Sequence, residues 1–171
     1  MPRRPHDAAE VIAYVGLGSN LANPRRQVER ALAAMTGLPG TRVVARSSLY
    51  RTAPQGTAGR QPPYVNAVVA LATRLDADDL LRALQTIERA QRRRRSAPNA
   101  PRSIDLDLLV FGALRRAGVR LRLPHPRLHE RAFVLRPLLE IAPQISIPGR
   151  GPARKYLPRT RAQRVSRIAS D

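Results

Sequence analysis

The sequence predicts a single globular domain of mixed α and β structure. Apolar, β-prone segments and segments of 3.6-residue periodicity follow one another in the order strand, helix, strand, strand, helix, strand. The chain has 171 residues and 43% hydrophobic content, enough for one domain with a sizeable core. No apolar run approaches the ~20 residues needed to span a bilayer, and there is neither an internal repeat nor a second domain.

Residues 1–10 read as a flexible arm. They are basic but carry no apolar segment of the kind that marks a secretory signal. Val11 to Gly18 is the first, buried strand. Asn23 is placed to cap a helix with Pro24 at its first position, Val28, Ala31, Leu32 and Met35 mark its buried side, and Gly37 closes it. Gly18-Ser19-Asn20 between them reads as a tight strand–helix turn, since it fits neither the dinucleotide nor the P-loop fingerprint. Thr41 to Thr52 is the second strand. A Gly/Pro-rich loop, 53–63, leads to the third strand, Tyr64 to Thr73. There Val65, Ala67, Val69 and Leu71 face the core, and Tyr64 and Asn66 fall on the opposite face. Strands two and three most simply pair antiparallel.

The second helix runs from Asp76 to about Arg92, and Gln85 and Glu88 are neighbours on its surface. A basic, proline-broken loop, 92–102, precedes the fourth strand, which closes at Gly112. A Gly/Arg hairpin and a short strand, Val119 to Leu123, follow. The apolar positions after Arg131 predict short helical turns packed on the core. Beyond Pro148 the chain is rich in Arg and Pro with little periodicity, so 149–171 is expected to be a basic, poorly ordered tail.

The charge is +19, from 31 Lys plus Arg against 12 Asp plus Glu, and Lys155 is the single lysine. This favours polyanionic partners such as nucleotides or nucleic acid. The arginines are dispersed and aromatics are only 4%, whereas single-strand binders add stacking aromatics to a basic groove. The absence of cysteine excludes disulfides and thiolate metal sites and fits a cytoplasmic protein.

The fourth strand is unusual in carrying Asp105 and Asp107 within Ile104-Asp105-Leu106-Asp107-Leu108-Leu109-Val110-Phe111. Residues i and i+2 share a strand face, so two carboxylates about 7 Å apart project together, while Ile104, Leu106 and Leu108 point the other way. Their repulsion, and the cost of burying them unpaired, call for positive charge between them. A hard divalent cation meets that need, and so do the neighbouring arginines.

Several motifs, taken together, resemble the 6-hydroxymethyl-7,8-dihydropterin pyrophosphokinase family of folate biosynthesis. They occur in family order: Gly18-Ser19-Asn20-Leu21, Ser48-Leu49-Tyr50-Arg51-Thr52-x-Pro54, Tyr64-x-Asn66-Ala67-Val68, Gln85-x-x-Glu88, Arg93-x-Arg95, Pro101-Arg102-x-Ile104-Asp105-Leu106-Asp107, and Pro124-His125-Pro126 followed by Arg131-x-Phe133-Val134-Leu135-x-Pro137-Leu138. The likeness spans residues 11–148. It implies an α+β fold, a ferredoxin-like α/β sandwich with a mostly antiparallel sheet. It also implies transfer of pyrophosphate from ATP to the pterin hydroxymethyl group with release of AMP.

By the same resemblance Asp105 and Asp107 hold two Mg²⁺ ions. Arg93 and Arg102 stabilise charge on the phosphates. Gln85, Glu88, Arg95, His125 and Arg131 contact ATP. Tyr64 and Phe133 sandwich the pterin, Asn66 reads its edge, and Thr52, Ala53 and Gln55 complete its pocket. Without the family, His125 reads as a structural histidine in a Pro-x-Pro turn. Ala53 stands where a second proline is common, Gln55 where an apolar residue often lies, and Asn99-Ala100 where some members carry an aromatic–glycine pair. The implied partners are ATP and the dihydropterin, with no nucleic acid and no membrane, and the implied state is a monomer. The competing reading is a basic ferredoxin-like nucleic-acid-binding module. It explains the charge but leaves two aspartates as liabilities beside phosphates.

Overall fold

The structure is a computed structural model that describes residues 8–21, 23–53, 62–92 and 103–170. Its centre is the strand β1 (Val11–Ser19), flanked on both sides by antiparallel partners: β4 (Tyr64–Thr73) and β5 (Asp105–Phe111). The second predicted strand is two strands, β2 (Thr41–Arg46) and β3 (Tyr50–Thr52), both paired antiparallel with β4. The break has a local cause. Ser47 Oγ accepts from the Val68 N–H, in place of a backbone carbonyl, and the Ser48 N–H turns away to donate to Glu140.

Two helices cover one face of this sheet. Helix α1 (Pro24–Thr36) begins as the sequence predicts: Asn23 accepts from the Arg26 N–H and Pro24 supplies the pre-set φ of the first turn. Helix α2 (Ala77–Arg92) is capped by Asp76, which accepts from the Asp79 N–H at 2.8 Å. Val28, Ala31, Leu32 and Met35 of α1 and Leu80, Leu84 and Ile87 of α2 pack on alternate residues of the strands: Ala13, Val15 and Leu17, then Val65, Ala67, Val69 and Leu71, then Leu106 and Leu108. Period-2 alternation therefore supplies one complete apolar layer.

The opposite face is covered by α3 (Ala132–Ile141), where short turns were expected. Pro137 sits inside α3 without ending it. Val134, Leu135 and Leu138 of α3 pack against Val68, Leu109 and Val110. Helices on both faces explain why nearly every residue of β4 is buried, an appearance that alternation alone does not predict.

The expectation of a poorly ordered tail is corrected. A hairpin of β8 (Ser146–Ile147) and β9 (Gly151–Pro152) leads into a 3-10 stretch, Ala153–Thr160, and then into β10 (Val165–Arg167), which pairs antiparallel with β3. The remaining short strands, β6 (Arg116–Ala117) and β7 (Arg122–Leu123), form a hairpin whose turn lies later than expected: Val119, placed in a strand by the sequence, is fully exposed in the turn. The tail is held by an open sheet edge and by a few scattered apolar residues, Ile147, Ala153 and Tyr156, buried beside α3. Neither contact requires the regular spacing on which sequence patterns depend.

Candidate active site

The α3 face of the sheet is only partly covered. Where the C-terminal end of β1 meets the N-terminal ends of β4 and β5, the strands carry small and polar residues in place of apolar ones. Gly16 lies between Val68 and Asp107, and Gly18 between Asn66 and Asp105, across the three strands. Two adjacent rows of the sheet therefore lack a central side chain and are rimmed by an amide and two carboxylates. A Cβ at Gly18 would stand 2.8 Å from Asn66 Oδ1, so the floor here has no space for one unless Asn66 moves. The result is a cleft of about 430 Å³.

Its walls bring together most of the predicted pterin and metal residues. Thr52, Ala53, Tyr64, Asn66, Asp105, Asp107, Arg131 and Phe133 all line it. Asn66 is buried, and its Nδ2 donates to Thr52 Oγ1 at 2.8 Å, which leaves its Oδ1 as the acceptor over Gly18. Pairing of Tyr50 with Asn66 and of Thr52 with Tyr64 sets β3 beside β4 at this corner. Phe133 comes from the first turn of α3, and the Arg131 guanidinium lies 5.4 Å from its ring centroid. Asp107 is exposed and Asp105 half-buried, so the strand face that carries them opens onto the cleft.

Three further predicted residues lie outside the cleft wall. Gln85 is exposed on α2. The Glu88 carboxylate accepts from the Leu106 N–H at 3.3 Å, tying α2 to the strand between the two aspartates. His125 is anchored by its own N–H to the Leu109 carbonyl at 2.8 Å, and its Nδ1 accepts from the Arg127 N–H. Burial lowers the His125 pKa below the ordinary value, and Arg131 and Arg127 push the same way against an opposing pull from Asp107. Burial is also the main cause of a lowered Arg131 pKa, again opposed by Asp107. His125, Arg131 and Asp107 therefore form one electrostatic group. The predicted Arg93, Arg95, Arg102 and Gln55 lie outside the described residues.

Sequence reasoning missed Gly16, Arg127, Glu130 and Gln163, which also line the cleft. Gly16 had a readable signal, since it stands two residues before Gly18 and shares its strand face. Gln163 had none.

Comparison with known proteins places these features in context. The profile of the 7,8-dihydro-6-hydroxymethylpterin-pyrophosphokinase family matches residues 14–143. A 2-amino-4-hydroxy-6-hydroxymethyldihydropteridine pyrophosphokinase from Pseudomonas aeruginosa is 50% identical over 135 residues, covering 79% of this chain and 83% of that protein. The protein of the same name from Haemophilus influenzae is 42% identical over 138 residues, covering 81% and 86%. Among solved structures, a Plasmodium falciparum HPPK-DHPS chain superposes with a TM-score of 0.71 at 14% identity, over 96% of this chain and 47% of that one. That likeness concerns the fold, a ferredoxin-like sandwich.

Proposed function

The chain belongs to the 7,8-dihydro-6-hydroxymethylpterin-pyrophosphokinase family, and from that premise we propose how its own residues serve the family reaction. The enzyme transfers pyrophosphate from ATP to the hydroxymethyl group of 6-hydroxymethyl-7,8-dihydropterin, releasing AMP, in folate synthesis. One observation supports our assignment of roles most directly: a single cleft is lined by Tyr64, Phe133 and Asn66 and by the two carboxylates of Asp105 and Asp107.

The pterin takes the part of the cleft between Tyr64 and Phe133, whose rings sandwich it. Asn66 Oδ1 accepts from its amino-pyrimidinone edge, oriented by the bond from Asn66 to Thr52. A buried amide held in one orientation favours one hydrogen-bonding pattern over its inverse. Thr52 and Ala53 close the side formed by β3.

ATP occupies the side towards β5 and α2, with its phosphates between the aspartates and the cationic groups. Arg131 and His125 contact phosphate oxygens, and Arg93, Arg95 and Arg102 add charge from the basic loop. Gln85 and Glu88 face the adenosine. Phosphoryl transfer depends mainly on positioning and on charge stabilisation, and bidentate guanidinium groups supply both. Asp105 and Asp107 offer the oxygen donors that suit Mg²⁺, which is commonly held by one or two carboxylates with substrate phosphates completing its shell. Among the described residues no cluster of three or more His, Asp or Glu side chains competes with them. Two Mg²⁺ ions there would neutralise phosphate charge and acidify the pterin hydroxyl.

The domain that we propose for this work runs past Pro148, because β10 extends the sheet beside β3. We read the protein as a cytoplasmic monomer, and no helix among the described residues is long and apolar enough to cross a membrane. No observation favours the nucleic-acid-binding alternative.

The test is product analysis. The protein is mixed with ATP, Mg²⁺ and 6-hydroxymethyl-7,8-dihydropterin, and AMP is separated from ADP. Pterin-dependent AMP, matched mole for mole by pyrophosphorylated pterin, is the expected outcome. ADP as the pterin-dependent product, or no turnover by the folded protein, overturns the reading.

A further inference from the structure

Helix α3 begins with an anomaly. Its N-cap residue, Arg131, makes no side-chain cap hydrogen bond, although the first amide groups of a helix have no partner within it. The first of these, the Ala132 N–H, donates instead to Gln163 Oε1 at 2.8 Å, across 31 positions of sequence. The other end of the same amide is also used, since Gln163 Nε2 donates to the Glu130 carbonyl at 2.8 Å. One side chain thus clamps the backbone on both sides of Arg131. It also lines the cleft beside Arg127, Glu130, Arg131 and Phe133.

The clamp is itself held in place. The Gln163 N–H donates to the Thr160 carbonyl, which closes the turn that ends the 3-10 stretch. Two residues later Val165 pairs with Thr52 of β3, and Arg136 of α3 donates to the Val165 carbonyl. The segment 160–167 therefore touches both walls of the pterin pocket: the strand carrying Thr52 and the helix start carrying Phe133. Position 163 lies beyond residues 14–143, the part that matches the family profile.

We propose that Gln163 is a positioning residue for the pterin half of the site. By capping α3 in trans and tying down the Glu130 carbonyl, it sets where Arg131 and Phe133 stand relative to Tyr64 and Asn66. The C-terminal segment acts as a strap that gauges the width of the pocket across its two walls. This inference rests on the proposed pterin reading of the cleft. It predicts a larger effect on the pterin than on ATP, because the segment bonds to the strand carrying Thr52 and to the start of the helix carrying Phe133, and reaches the ATP side through Arg131 alone.

The experiment compares the wild-type full chain with Q163M and Q163A. Met keeps the length and volume of Gln while deleting both hydrogen bonds, so Q163M guards against a folding failure of Q163A. Steady-state KM for the dihydropterin, KM for ATP and thermal midpoint are measured for each, and pterin affinity is followed directly by fluorescence titration. The expected result for Q163M is a rise of about ten-fold in pterin KM and Kd, as a displaced stacking ring would cause. ATP KM should rise less, by about two- to three-fold, because Arg131 is one of several cationic groups on the phosphates, and the thermal midpoint should stay within about 2 °C. A wild-type pterin KM in Q163M overturns the inference. So does a parallel rise of both KM values with a fallen midpoint, which marks a merely structural role. If the wild-type chain itself binds no pterin, the functional reading fails first and the inference falls with it.

Discussion

The two faces of the central sheet are built from alternating residues of the same strands, yet one is a core along its length and the other is a core only under α3, opening beyond it into a cleft. On the α1/α2 face, β1 presents Ala13, Val15 and Leu17, and β5 presents Leu106 and Leu108, all buried. One residue out of phase, β1 presents Gly16 and Gly18, β4 presents Asn66, and β5 presents Asp105 and Asp107. A shift of one position thus separates an apolar layer from a floor without side chains, rimmed by polar groups. The core face stabilises the strands in the register that the cleft face needs. The cleft occupies the part of that face which α3 leaves uncovered.

The contrast is sharpest at Asp107, which should affect chemistry and leave folding unchanged. Asp107→Ala is expected to lower kcat by about 10³-fold or more while the thermal midpoint stays near wild type. A normal rate in that variant breaks the assignment of the aspartates. The mirror experiment is Leu71→Ala, at a fully buried position of the core face. It should cost about 2–5 kcal/mol in denaturant unfolding, with kcat per folded molecule retained. Loss of activity at full stability would mean that the two faces are not separable. Gly18→Ala probes the floor itself. Its Cβ displaces Asn66 Oδ1, the group we propose for the pterin edge, and pterin KM should rise by about ten-fold or more with a smaller change in ATP KM. An unchanged pterin KM would show that the floor has room.

The smallest effect concerns a carboxylate of the opposite kind. Glu140 accepts from the Ser48 N–H at 2.6 Å and from the Tyr50 hydroxyl at 2.9 Å, with Arg167 at 3.5 Å. Burial works to raise its pKa, but these donors outweigh burial and hold it below the ordinary value. The Tyr50 hydroxyl is pushed up to about 12, first by burial and then by Glu140. A depressed carboxyl contributes stability that is complete above its unfolded pKa and is lost as pH falls through the folded one. Thermal midpoints measured downward from pH 5 should therefore fall more gently in Glu140→Gln than in wild type. Parallel curves would remove Glu140 from the acid response. This group meets donors fixed by the protein, and its role is to join α3 to β3.

How far the site could be read in advance depended on the range of the interactions that make it. Asn23 with Pro24, the shared face of Asp105 and Asp107, and the split of Tyr64 and Asn66 from Val65 and Ala67 follow from the geometry of neighbouring residues, and the structure has each. The break between β2 and β3 was not legible, because it depends on Glu140, 92 positions from Ser48. Nor was the order in the tail, where β10 joins a sheet edge and Gln163 caps a helix through contacts that impose no periodicity. Local chemistry and strand alternation were enough to specify β1, β4 and β5, the first two helices and the polar residues that share the cleft face. Which of those residues meet, how the cleft floor forms between β4 and β5, and what clamps Arg131 depended on strand pairing and long-range capping. Such contacts join residues far apart in the chain, and the chain leaves no repeating trace of them.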